Sequence, residues 1–249
     1  MGHTAVAAAD RAAGDRLIAI TLDIDWAPDH AIDAVAGEMI ERDVRATWFV
    51  THASSAIDRL RDRPDLFELG IHPNFAPGST HGETPEAVLD HCMALVPEAR
   101  AMRTHGLVQS TALLALARER TPIRVDASLF LPGAASLAPI EYPLAPGPIV
   151  RVPYLWEDDA EMLRPDPSWD AWGLATGAAS LAVFDFHPIH VVLNSADMRA
   201  YEALKRRELD RATAGDVAAL RHDGPGAGAA FAALLEGLAG GGRRISELA

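Results

Sequence analysis

Three scarcities in this chain each remove a class of function. Cys92 is the single cysteine, so neither an intrachain disulfide nor a thiolate metal cluster can form. It falls in an apolar-periodic stretch and reads as a small core residue. Lys205 is the single lysine, and 22 basic groups face 35 acids, for a formal net charge of -13 at pH 7. That balance argues against nucleic acid or an anionic membrane surface as the main partner, because both attract basic patches. Long apolar runs are missing too, and none approaches the roughly 20 residues that span a bilayer. The first sixteen residues are rich in Ala and Asp and lack a basic start followed by an apolar run, so no secretory signal is read there. They are expected to form a flexible N-terminal segment, with the cytoplasm as the expected compartment.

What is present suits one sizeable core. Of 249 residues, 49% are hydrophobic, and α/β barrels commonly use this length as one domain, here expected over 17–249. Residues 17–23 (LIAITLD), 44–50 (VRATWFV) and 66–71 read as buried strands, and 181–187 (LAVFDFH) as the last strong one, continued at 191–193. Between them, 29–42 puts Ile32, Val35, Met39 and Ile40 on one helical face, and 85–96 does the same with Val88, Leu89, Cys92 and Leu95. Strands at 99–104 and 123–127 flank a helix at 108–118. The proline-rich stretch 132–170 offers only a strand at 149–153, and the tail from 197 is helical with glycine-rich breaks. Alternating strands and helices imply a parallel sheet, open or closed into a barrel.

In such folds reactive side chains collect at the carboxyl ends of strands. Here the apolar runs stop on Asp23-Ile24-Asp25-Trp26, His72-Pro73-Asn74, Arg103-Thr104-His105-Gly106 and His187-Pro188-Ile189-His190, while another strand carries Asp126. Five strand ends therefore offer Asp, His or Arg to one rim, a convergence that packing alone rarely produces. Neutral imidazoles and carboxylates suit a divalent metal of the Zn, Fe, Mn, Co or Ni kind. The run Trp156-Glu157-Asp158-Asp159 reads as a solvated loop. Trp26, Phe75, Tyr154 and Trp156 read first as packing, with one of the four able to stack on a sugar ring.

The order of these segments resembles the polysaccharide deacetylase (carbohydrate esterase) family from about residue 17 to 194. Thr21-Leu22-Asp23-Ile24-Asp25 is similar to the family's opening pair of acids, Glu68-Leu69-Gly70-Ile71-His72 to the lead into its metal motif, and Phe186-His187-Pro188 to its final motif. The resemblance implies a distorted seven-stranded (β/α) barrel with additional C-terminal helices. It also implies a divalent metal, zinc first, held by Asp25 and His72. By the same resemblance Asp23 is the general base, Arg103 orients it, His187 is the general acid, and Asp126 holds the His187 imidazole. The family's usual second histidine, four residues on, is Ala76 here. His81 is the expected third ligand, with His105 as rival and Asn74 as a weaker one. The implied function is removal of an acetyl group from an N-acetylated sugar or glycoconjugate precursor. A small non-sugar amide as substrate, or a catalytically inactive sugar-binding barrel, are the alternatives.

Overall fold

The computed structural model describes residues 16–145, 147–178, 180–207 and 209–249; nearly all of the segment expected to be flexible lies outside the described residues. The chain runs β1 (Leu17–Asp23), α1 (Asp29–Glu41), β2 (Ala46–Val50), α2 (Ser55–Arg61), β3 (Phe67–Ile71), α3 (Pro85–Leu95) and β4 (Ala101–Met102). It continues with α4 (Thr111–Arg120), β5 (Val125–Phe130), β6 (Ile140–Tyr142), β7 (Ile149–Tyr154), β8 (Trp156–Glu157), α5 (Asp158–Met162) and α6 (Ala171–Gly177). Then come β9 (Leu181–Phe186), α7 (Pro188–Leu193), α8 (Arg199–Lys205), α9 (Ala214–Leu220) and α10 (Ala227–Leu238).

The sheet order is β6-β7-β5-β4-β3-β2-β1-β9-β8. Strand β8 follows β7 after Leu155 alone, whose amide donates to the Val183 carbonyl. One bent strand thus pairs with β5 on one side and with β9 on the other. Taken as one, β7 and β8 close a seven-stranded parallel ring, the distorted (β/α)7 barrel, with β6 added antiparallel outside it. Closure explains why the strands read as nearly continuous apolar runs, since one face meets helices and the other meets the lumen.

The period of two then sorts residues along each strand. On β1, Ile20 and Leu22 join the large cluster under the helices, while Ala19 joins a smaller one in the lumen. On β9, Phe184 and Phe186 face outward, and Leu181 and Val183 face inward. The next lumen positions toward the carboxyl ends are polar: Thr21 and Asp23 on β1, Asp185 and His187 on β9. The lumen is therefore apolar at its base and charged at its mouth. The base is sealed by the C-terminal turn, where Ile245 and Leu248 join the lumen cluster and the Ile245 amide donates to Thr47 Oγ1 at 2.8 Å.

Two expectations change. The apolar run 191–193 does not extend the last strand but ends α7, which Pro188 starts from the first helical turn, where its missing N–H costs nothing. The stretch 132–170, expected to hold one strand, contains β6, β7 and β8.

Gly70 on β3 shows how tightly the ring is packed. A Cβ built there would lie 2.7 Å from Phe49 Cδ1 and 2.8 Å from the Ala101 carbonyl oxygen, a backbone atom that cannot turn aside. Gly70→Ala is expected to cost about 1–3 kcal/mol through overpacking, read as a lower midpoint in urea unfolding; an unchanged midpoint would show that β3 and β4 can separate freely.

Candidate active site

The mouth of the barrel is organised around a buried guanidinium. Arg103, just past β4, is fully buried with its ring of partners: Nε donates to the Ala127 carbonyl at 3.0 Å, and Nη1 donates to Thr21 Oγ1 at 2.8 Å and to Asp23 Oδ1 at 3.0 Å. Nη1 also pairs closely with Asp185 Oδ1. The guanidinium plane lies over Tyr154, 4.4 Å from its centroid, and over Phe49 at 4.9 Å. Burial works against its charge, but Asp185 and Asp23 outweigh that and keep it firmly protonated. Asp185, two residues before His187 on the same face of β9, is pushed well up by burial although Arg103 pulls the other way.

Above this layer the chain turns sharply. Asp25 and Trp26 both have positive φ, 37° and 55°, conformations that cost an L-residue strain, and the turn is held by the Trp26 amide donating to Thr51 Oγ1 at 3.1 Å. The turn carries the Asp25 carboxylate over the lumen. There Asp25 Oδ1 lies 3.2 Å from His72 Nε2 and 3.2 Å from His105 Nδ1, and the two ring nitrogens are 3.3 Å apart. Burial raises the Asp25 pKa, yet hydrogen bonds from His105 and His72 prevail and hold it well below the usual carboxylate range. Ligand atoms about 2.0–2.1 Å from a tetrahedral zinc ion stand roughly 3.3–3.4 Å from one another. The three measured separations match the edge of that tetrahedron, and the donor set, two imidazoles and a carboxylate, is one a zinc-like ion accepts. Asp23 Oδ2 sits beside the group, 3.6 Å from His72 Nε2.

His187 stands on the opposite side, its Nε2 3.6 Å from Asp25 Oδ2. Its Nδ1 is 2.7 Å from Asp158 Oδ1, and its backbone amide donates to Asp158 Oδ2 at 2.9 Å. Burial alone would lower the His187 pKa, but the Asp158 carboxylate raises it well above the ordinary histidine value, so the imidazole holds its proton. Next to it, the Glu157 carboxyl accepts from the Tyr154 hydroxyl at 2.9 Å and is pushed up to about 8 by burial and by Asp159.

Of the expected site residues, Asp23, Asp25, His72, Arg103 and His187 converge here, and two do not take their expected places. His81 is outside the ligand group. The loop after β3 carries it back over α3, where its ring stacks on His91 and its Nδ1 lies 3.4 Å from Cys92 Sγ. His105 fills the position because β4 is hydrogen-bonded beside β3, which returns the chain next to His72. Asp126 accepts from Arg151 Nε at 2.7 Å and from Ser128 Oγ at 2.6 Å, not from His187. In the ring β5 is separated from β9 by the bent β7–β8 strand, so the residue after β8, Asp158, is the one within reach. The acidic run expected as a solvated loop thus contains a fully buried member.

Among the aromatics, Tyr154 and Trp156 are buried packing residues, while half-buried Trp26 stands edge-on to His105, ring centroids 5.3 Å apart. His190 is buried behind His187, with Nδ1 3.1 Å from Ser195 Oγ, and is pushed down to about 3 by burial and the charge on His187. Asp158 and Asp185 were the residues hardest to find: only the spacing of Asp185, two before a site histidine on a strand, carried a signal. In metal-free Asp158→Asn protein, His187 is expected to titrate at lower pH than in wild type, followed by imidazole NMR; an unmoved midpoint would remove Asp158 as the source of its charge.

Residues 20–205 match a family model described as WbmS-like, polysaccharide deacetylase. A crystal structure from Bordetella bronchiseptica, described as a polysaccharide deacetylase involved in O-antigen biosynthesis, is 34% identical, covers 88% of this chain and 89% of its own, and superposes with a TM-score of 0.75. Peptidoglycan deacetylase PdaC from Bacillus subtilis is 12% identical, with 96% and 92% of the two chains covered and a TM-score of 0.47. A CE4 family pseudoenzyme from Bacillus anthracis is 13% identical, with 95% and 66% covered and a TM-score of 0.44. No curated protein matches. With the model spanning most of the barrel and the Bordetella likeness covering nearly the whole chain, this protein belongs to the WbmS-like family of polysaccharide deacetylases.

Proposed function

We propose that the protein is a metal-dependent deacetylase that hydrolyses the acetamide of an N-acetylated sugar or glycoconjugate precursor. The observation that carries this reading is the triad of Asp25 Oδ1, His72 Nε2 and His105 Nδ1 at metal-ligand separations, with a carboxylate on one side and a charged imidazole on the other. A divalent ion held by these three residues, zinc before Fe, Mn, Co or Ni, would supply Lewis acidity to the carbonyl and acidify a water.

The chain's own residues divide the proton transfers. Asp23, aimed by Arg103, accepts the proton of the water that adds to the amide carbon. The buried guanidinium fixes the carboxylate in place before substrate arrives, so no reorganisation is needed at the moment of reaction. His187 holds a proton through its pairing with Asp158 and donates it from Nε2 to the departing nitrogen. The C–N bond breaks as that proton arrives, leaving acetate and a free amine. A carboxylate and a proton-holding imidazole on opposite sides of the triad support catalysis over mere sugar binding, which needs neither.

Among the described residues, no helix is long and apolar enough to cross a membrane. The acidic balance of the chain supports a partner other than nucleic acid.

Elemental analysis of protein purified without a metal-affinity tag is expected to give close to one divalent ion per chain in wild type and little in His72→Ala. Equal content in both would remove His72 from the ligand set. Asp23→Asn is expected to keep its metal while losing about 10²–10⁴ in kcat, measured as acetate release from N-acetylated sugars. Substantial remaining turnover would take the base role from Asp23, and ammonia release from small amides in place of acetate would favour the non-sugar alternative.

A further inference from the structure

His81 is buried, forms no ion pair among the described residues, and is absent from the triad, yet it is one peptide away from it. Its Nδ1 accepts the Asn74 backbone N–H at 3.2 Å. The carbonyl of that same peptide unit, on Pro73, accepts the backbone N–H of His105 at 3.0 Å. The chain His81–peptide 73/74–His105 therefore couples an imidazole on one side of a rigid planar unit to the backbone of a ligand on the other. Trp26 joins the two from above, its ring 5.5 Å from that of His81 and 5.3 Å from that of His105.

The rest of the His81 environment suits an acceptor at Nδ1. Cys92 Sγ, at 3.4 Å, belongs to a thiol that burial pushes up to about 12, so it stays protonated and faces Nδ1 as a second donor. Burial and the neighbouring His91 push His81 down to about 4, which leaves it neutral, with its one ring proton on Nε2. Nε2 is buried against the backbone of Thr51 without a well-formed hydrogen bond. The hydrogen bonds of this imidazole are therefore those received at Nδ1.

We propose that His81 is a positioning residue: it locks the Pro73–Asn74 peptide and thereby fixes the backbone from which His105 presents Nδ1 to the ion. This rests on the metal reading above for its consequence, but not for its geometry. Partners that orient ligands typically change metal affinity by about 10- to 100-fold when removed. His81→Asn places an amide oxygen where Nδ1 stands and keeps the acceptor; His81→Phe keeps a ring of similar bulk and removes it.

The test uses the full chain and two readouts. Cobalt(II) titrated into metal-stripped protein is expected to bind about 10-fold or more weaker in His81→Phe and within a few-fold of wild type in His81→Asn. Amide hydrogen exchange at His105, followed in the metal-free proteins, is expected to be faster in His81→Phe and near wild type in His81→Asn. Weakened binding in both variants with unchanged His105 exchange would overturn the proposal and make His81 a ligand. Wild-type affinity and exchange in His81→Phe would overturn it outright. Should wild type bind no cobalt while His105 exchange still responds to His81→Phe, the positioning role stands and the metal reading fails. If His81→Phe does not fold, His81→Leu takes its place, and faster exchange in His81→Asn than in wild type then counts against the proposal.

Discussion

A guanidinium buried inside a barrel has to be neutralised on the spot, and Arg103 sets the terms for everything around it. Taking such a charge out of water costs several kcal/mol unless carboxylates and hydrogen-bond acceptors surround it. Asp23, Asp185, Thr21 and the Ala127 carbonyl do so from three different strands, with Phe49 and Tyr154 covering the guanidinium faces. The arrangement pins β1, β4, β5 and β9 to one another at the level of the mouth. It also leaves Asp23 with one oxygen committed to Arg103 and the other turned toward His72.

Above that layer the charges are kept apart by environment. Asp25 is held low by two imidazoles, His187 is held charged by Asp158, and Glu157 is pushed up by burial beside Asp159. These three groups lie within one small mouth, yet burial and their immediate partners move them in different directions. The strained turn at Asp25 and Trp26 is the backbone counterpart: two residues held at positive φ are the cost of bringing a carboxylate from the strand wall over the lumen.

The departure from the family's histidine spacing at Ala76 still leaves three donor atoms grouped at the mouth. His105 brings the third from the neighbouring strand, and His81 stays close to the rim without reaching the group. Such a grouping depends on how close the donor atoms come, about 3.3 Å for a tetrahedral ion, and not on which strands deliver them.

Much of this was legible in the chain itself. Short continuous apolar runs marked β1, β2, β3, β4 and β9, and the polar residues that follow or end them, Asp23, Asp25, His72, Arg103 and His187, follow from the rule that parallel strands present chemistry at their carboxyl ends. The order of those segments carried the family resemblance. The sequence could not say which strands become neighbours once the sheet closes. That choice made Asp158 and not Asp126 the partner of His187, made His105 and not His81 the third donor, and turned 191–193 from strand into helix. Local pattern determines which residues face the lumen, since that depends only on the alternation of one strand. Which side chains meet across the lumen depends on ring closure and register, and these are properties of all the strands together.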